Sequence, residues 1–135
     1  MPVDHVYAKL SASVASNTNN AQDWMTTWDS YVVAEAGSIR AVYVTATVAL
    51  SSNTAAHKVD IFRQPSGISA ASNSSASILT APVTLTGVNA SVAGSIAAGN
   101  QRVAAGDILQ LKTNEALIAT GRITGLFATV LILPD

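Results

Sequence analysis

Charge is what this chain of 135 residues has least of. Only 11% of the residues are charged, and seven Lys and Arg nearly balance eight Asp and Glu, so the net charge is -1. A soluble domain usually carries charge on about a quarter of its residues. So sparse a charge is typical of a surface that other protein chains cover, and we therefore interpret the chain as a subunit of an assembly. Nucleic acid is not an expected partner, because neutralising phosphates needs an excess of basic residues.

Cysteine is absent, which excludes disulfides, thiolate metal sites and cysteine nucleophiles. Long apolar runs are absent as well. The longest stretch without charge lies between Arg63 and Arg102, and Ser, Asn, Thr, Gly and Pro interrupt it well before the ~18 apolar residues of a membrane helix. The opening residues MPVDHVYAKL lack the apolar run of a secretory signal. We therefore expect no membrane partner and no signal peptide.

Groups that could carry out catalysis are scarce. Of the two histidines, His57 stands three residues before Asp60, and on a strand this spacing sends the two side chains to opposite faces. His5 follows Asp4, and nothing in the sequence marks a serine partner for it. The eight acids show neither calcium-loop nor zinc-protease spacing, and no glycine-rich loop ends in Lys-Ser or Lys-Thr. The sequence predicts no enzyme, no metal site and no cofactor.

Where side chains do follow a pattern, the period is two. From Arg40 to Leu50 one face of the predicted strand is apolar, while small and β-branched residues and Tyr43 fall on the other. The opening segment alternates in the same way and predicts a strand with one side that is wet or faces a partner. The apolar face of the long strand consists of Val42, Val44, Ala46, Val48 and Leu50. The apolar face of the opening segment consists of Val6, Ala8, Leu10, Ala12 and Val14.

Two reversals and one irregular strand are predicted in the second half of the chain. The sequences AAGN at 97–100 and AAGD at 104–107 offer Gly at turn positions that need positive φ. We expect Asp107 to be a turn residue that accepts backbone donors, and the strand after it to point Leu109 and Leu111 inward. Pro82 cannot donate to a ladder, so its strand, with Ala81 expected on the apolar side, belongs at a sheet edge or contains an irregularity.

The final strand, from about Arg122 to Leu133, is apolar on both faces. Two interpretations fit this pattern: a neighbouring subunit covers the second face, or the strand is central in a sandwich whose outer face is mostly Ala and Thr. One face holds Leu126, Ala128, Val130 and Ile132, and the opposite one holds Phe127, Leu131 and Leu133.

No segment of ten residues carries a helical stripe, and about eight strands are joined by loops rich in Gly, Asn and Ser. The predicted fold class is therefore all-β: an antiparallel two-sheet sandwich, jelly-roll-like, with residues 1–135 as one domain. Residues 1–20 are expected to form an arm, an added strand or part of the roll.

The seven aromatic residues are the remaining candidates for recognition. Aromatic side chains fill cores, anchor subunit interfaces or form exposed platforms for ligands, and the sequence leaves these roles open. Together with the second face of the final strand they give the candidate interface residues, which are Trp24, Trp28, Tyr31, Tyr43, Phe127, Leu131 and Leu133.

Three stretches resemble, in layout, small jelly-roll virion proteins of tailed bacteriophages. They read AGSIRAVYVTATVAL, AAGDILQLKT and GRITGLFATVLIL, and the resemblance covers the chain from Gly37 onward. It implies a capsid decoration, or cement, protein that sits as a trimer on the outer shell. The expectation is thus a non-enzymatic subunit at the capsid surface of the virion, a homo-oligomer that binds the major capsid protein. The alternative is a tail-fibre or appendage module that binds a cell-surface glycan through exposed Trp or Tyr.

Overall fold

The computed structural model describes residues 5–14, 27–50, 58–67, 76–85, 87, 89–114 and 123–135. These residues form ten strands, and within the same ranges there is no helix. The strands are β1 (Val6–Val14), β2 (Thr27–Val32), β3 (Gly37–Leu50), β4 (Lys58–Gln64), β5 (Ala76–Ser77), β6 (Val83–Thr84), β7 (Val92–Gly94), β8 (Arg102–Val103), β9 (Ile108–Asn114) and β10 (Ile123–Pro134).

The strands form two antiparallel sheets. Sheet A has the order β1-β10-β3-β7, with β8 also paired to β3, and sheet B has the order β2-β9-β4-β5, with β6 also paired to β4. The pairing is nested, because early strands pair with late ones in reverse order and β1 to β4 alternate between the sheets. This is the arrangement of a jelly roll, and the predicted fold class is confirmed. The described residues contain ten strands, whereas the sequence predicts about eight. The difference arises because the position beside β3 is shared by the short strands β7 and β8, and the position beside β4 by β5 and β6.

The core lies between the two sheets. The alternation predicted for the final strand is confirmed, since Leu126, Ala128, Val130 and Ile132 of β10 are at most 2% exposed. The two inward positions predicted for β9 are buried as well, together with two positions of β4. They are Val59, Ile61, Leu109 and Leu111, each with 0% exposure.

β3 begins three residues before the predicted start, and its alternation changes phase at Arg40. Leu131 pairs with Ala41 while Ile132 pairs with Ile39, so Arg40 is the extra residue of a β-bulge. The bulge lets Ile39 face the core together with Val42, Val44 and Ala46. The side chains of Val48 and Leu50, predicted on the same face, lie outside the described residues. At the start of the strand, a Cβ on Gly37 would lie 2.5 Å from the carbonyl oxygen of Leu133. Only glycine therefore lets β3 approach β10 this closely.

Both predicted reversals are confirmed. The N–H of Asn100 donates to the carbonyl of Ala97 at 3.0 Å, and the N–H of Asp107 donates to that of Ala104 at 3.1 Å. In each turn the third residue is a glycine at positive φ, 87° in the first turn and 89° in the second. These are the features of type II turns, where a side chain at the third position would be strained.

The Asp107 carboxylate links the second turn to the end of β4, which confirms its predicted role. It accepts hydrogen bonds from the N–H of Ala104 at 2.9 Å and of Ser66 at 3.0 Å. The guanidinium of Arg63 lies 3.1 Å away and forms an ion pair with it. Burial by itself raises the pKa of Asp107, but the two backbone donors and Arg63 outweigh it and hold this pKa below its ordinary value.

The predicted irregularity at Pro82 is confirmed, since residues 78–82 separate β5 from β6 at the edge of sheet B. Leu79, Val83 and Leu85 on either side of this break are buried. The prediction is wrong for Ala81, which is exposed because the strand breaks there and the alternation does not continue through it.

The edges of the two sheets run side by side at β1 and β2, along a boundary that we call the seam. At one end of the seam, the Asp29 carboxylate of β2 accepts the N–H of Ser11 at 2.7 Å and the N–H of Ser30 at 2.9 Å. The first bond covers an amide of β1 that points away from its partner β10. Residues 6–14 are therefore an edge strand of the roll and do not form a separate arm.

Replacing Asp29 by alanine should uncover this edge. We expect the free energy of unfolding to fall by about 1 kcal/mol, the usual net value of one hydrogen bond. The uncovered edge should also promote association that increases with protein concentration, because a free strand edge is a template for pairing. Urea unfolding and light scattering measure the two effects, with Asp29→Asn, which keeps one acceptor oxygen, as the matched control. A D29A protein with the stability and size distribution of the parent would contradict the role given to this carboxylate.

Candidate interaction surface

The outer face of sheet A presents a continuous surface across three neighbouring strands. Its side chains form three cross-strand rows on β1, β10 and β3, since outward positions face one another in the observed register. We call this surface the aromatic face. Its rows are Tyr7, Leu131 and Ala41; Lys9, Thr129 and Tyr43; and Ser11, Phe127 and Thr45.

Three aromatic side chains stand out from this surface. Tyr7 is 56% exposed, Tyr43 52% and Phe127 47%. Since an aromatic side chain presents about 150–250 Å², half of three such side chains gives roughly 300 Å² of exposed area. The largest apolar patch on a typical monomer is about 300–600 Å² and is often functional, so this cluster is a candidate site of interaction.

The rest of the aromatic face is small and nearly uncharged. Thr129 lies at the centre of the nine residues, and Ala41 and Thr45 lie on either side of Tyr43 along β3. Lys9 is the only charged residue among the nine, and none of the nine is an acid. A rigid, apolar surface of this kind suits a protein partner better than a polyanion, which would need several cations.

The structure brings some of the predicted interface residues together and separates others. Tyr43, Phe127 and Leu131 lie on the aromatic face, and Leu133 is half-buried further along β10, opposite Ser38. Tyr31 lies apart from them in β2 of sheet B, where it packs against the core.

The side chains of the two tryptophans are not described, and Tyr7 is an interface candidate that the sequence does not predict. Trp24 lies outside the described residues, and Trp28 belongs to β2 but its side chain is also outside them. Sequence reasoning omits Tyr7 from the candidates, although the alternation of β1 places it on the outward side. What marks Tyr7 as part of the surface is its position opposite Leu131, and this position is known only from the pairing of β1 with β10.

A polar cluster on the outer face of sheet B is buried between β4 and β9. Asp60 is 4% exposed and faces Lys112, which is 8% exposed, across β4 and β9. Asp60 accepts the N–H of Ile61 at 2.8 Å and the hydroxyl of Ser77 at 2.5 Å. The Nζ of Lys112 lies 4.7 Å from the ring centre of Phe62. Sequence alternation predicts an amphipathic β9, yet its outward residues Gln110 and Lys112 are each only 8% exposed.

Burial controls the ionisation of this pair. It raises the pKa of Asp60, although hydrogen bonds from Ser77 and Ile61 and the charge of Lys112 act in the opposite direction. Burial also lowers the pKa of Lys112, and the charge of Asp60 offsets part of that change. Because both groups are inaccessible, they form a structural polar cluster and offer no reactive group to a dissolved substrate.

No grouping for metal chemistry occurs in the part of the chain that the structure describes. His5 is exposed just before β1, and His57 lies outside the described residues. Across the described ranges, no three His, Asp or Glu side chains come together in a way that could hold a metal ion. Nor do these ranges contain a helix with the length and apolar character needed to cross a membrane.

Comparisons with protein-family models, with curated proteins and with solved structures found no match to this chain. The aromatic face is thus identified as a candidate interaction surface from its own geometry and chemistry.

Proposed function

We propose that this protein is a non-enzymatic virion structural protein, a capsid decoration subunit that binds the assembled head of a tailed phage and stabilises it. The observation that carries the proposal is the aromatic face, which joins Tyr7, Tyr43 and Phe127 in a group of nine outward residues with one charged side chain. The layout of the sequence supports the same function, because it resembles small jelly-roll virion proteins.

The geometry of the aromatic face suits tight binding to a protein surface. Its side chains stand on three hydrogen-bonded strands, so little backbone order must be gained on binding. Tyrosine and other aromatic residues are common binding hot spots, and apolar neighbours exclude water from around them. A stable interface buries about 800 Å² per partner, so we expect the aromatic face to form its centre and adjacent residues its rim.

Stabilisation of the shell follows from mass action. A subunit that binds the assembled shell and not the free capsid protein shifts the equilibrium toward the shell. The proposal includes a homotrimer, as the resemblance implies, with the major capsid protein as the partner of the aromatic face.

Charged substitutions on the aromatic face test this assignment. In Tyr43→Lys and Phe127→Lys, binding would bury an unpaired ammonium, so we expect the number of copies retained on purified particles to fall at least tenfold. The matched control is Val32→Lys, because Val32 is 62% exposed but lies on sheet B. Copies per particle can be counted by quantitative mass spectrometry, and thermal unfolding of each free variant checks its fold. Equal retention of all three variants would remove the aromatic face from the proposal.

The position on the virion gives a second test. Gold-labelled antibody against the chain should decorate the head of intact particles. Label at the tail would contradict the decoration role and favour the appendage module, in which exposed aromatic residues stack on a glycan.

A further inference from the structure

The seam between β1 and β2 opens into a pocket at the end away from Asp29. The pocket has a volume of about 320 Å³ and receives residues from both sheets and from the connection between β2 and β3. This volume is at the lower end of the range for small-ligand sites, enough for one aromatic ring or a short branched chain. The residues that line the pocket are Val6, Tyr31, Val33, Ala34, Glu35, Ile132 and Pro134.

The lining is apolar except for one phenol and one carboxylate. Val33 and Ile132 are each 2% exposed and belong to the core, so the apolar walls are held in place by the sandwich itself. Glu35 is exposed and makes no hydrogen bond or ion pair with any residue that the structure describes. The lining contains no cation that could neutralise this carboxylate.

We propose that this pocket is a binding site for a compact apolar group that carries an ammonium or guanidinium head. The apolar part would lie against Val33 and Ile132, while the head would donate to the carboxylate of Glu35, with the hydroxyl of Tyr31 as a further polar contact. The site is on the seam and separate from the aromatic face, and it does not depend on the proposed capsid function.

Titration of the uniformly ¹⁵N-labelled full chain with phenethylammonium tests the site. We expect saturable changes in the amide resonances of Val6, Val33, Glu35 and Ile132. Neutral 2-phenylethanol should bind in the same place more weakly, because it has the ring without the charge. In Glu35→Gln, the affinity for phenethylammonium should fall about two- to fivefold, as expected for an exposed ion pair, and that for the alcohol should not change.

A second variant separates the apolar part of the site from its charge. Ala34 is exposed, so Ala34→Trp should block the pocket without altering the core, and binding of both compounds should be lost. The proposal is overturned if neither compound changes these resonances, or if E35Q weakens the alcohol as much as the amine.

The same cation could come from a free amine or from a protein segment, and a peptide distinguishes the two sources. If the blocked peptide acetyl-Val-Lys-Val-amide binds more tightly than phenethylammonium at the same resonances, the site is assigned to a lysine of a partner chain. If the amine binds more tightly, it is assigned to a small molecule. Both results support the pocket as a site for an apolar cation.

Discussion

Leu126→Ala is expected to lower the free energy of unfolding by about 2–5 kcal/mol, the range for removing most of a buried leucine side chain. Leu126 is completely buried in β10, between β1 and β3, where the sheet is covered by sheet B. Neighbouring strands hold both edges of β10, so the backbone has little freedom to collapse into the space that alanine would leave. Urea unfolding followed by intrinsic fluorescence measures the change.

The next residue along the strand provides the control. Phe127 points to the opposite face and is 47% exposed, so Phe127→Ala should cost only about 1 kcal/mol despite the larger side chain removed. The large difference is expected because side chains alternate between the faces of a sheet. Equal losses from the two substitutions would mean that the register of β10 is wrong by one residue.

Asp107→Ala is the second substitution with a large expected effect. It would remove the acceptor of two backbone N–H groups, from Ser66 and Ala104, and the partner of Arg63. Leaving a buried donor without a partner costs about 1–3 kcal/mol, and since these two N–H groups are only partly buried, we expect a total loss of about 2–4 kcal/mol. Asp107→Asn keeps one acceptor oxygen but brings an NH₂ group toward the remaining donors, and its loss should be intermediate.

The loss at Asp107 should also depend on pH. Burial raises the pKa of this carboxyl, but its hydrogen bonds and Arg63 lower the pKa by more than burial raises it. The folded state therefore holds the ionised form more strongly than the unfolded state does. The stabilisation is therefore complete above the unfolded pKa, near pH 4, and is lost as the pH falls through the lower folded pKa. The stability difference between the parent and D107A should shrink below about pH 4. A difference that stays constant from neutral pH into this acid range would contradict the ionised role of Asp107.

The sequence predicts the strands and turns of this fold well because their signals are local. Alternation identifies the buried side of β10 and β1, and Gly106 with Asp107 identifies a turn that needs positive φ and an acceptor. The bulge at Arg40 is not predictable in this way, since it depends on how β3 pairs with a strand more than eighty residues away in the sequence. Likewise, alternation places Gln110 and Lys112 outward but carries no information about what covers that face.

The candidate surface is only partly predictable for the same reason. Tyr43 and Phe127 are recognisable as outward residues of their own strands, but their arrangement around Thr129 requires the register of three strands. Tyr31 is equally aromatic and lies on a strand as well, yet it belongs to the other sheet and faces the seam. Membership of one sheet, which no local pattern records, decides which aromatic residues can act together.

The pairing of β1 with β10 has a consequence for how the chain is made. β10 emerges from the ribosome on the order of a hundred residues after β1, and at typical synthesis rates this means roughly 5–20 s during which the backbone of the nascent first strand has no partner strand in its sheet. Asp29 is synthesised soon after β1, so the carboxylate that protects one edge of this strand is present early, whereas the strand that pairs with its other edge comes late. Folding of the complete roll is therefore slow, because it depends on pairing between strands far apart in the sequence. The early strands are the part of the nascent chain that most needs a chaperone until β10 has been synthesised.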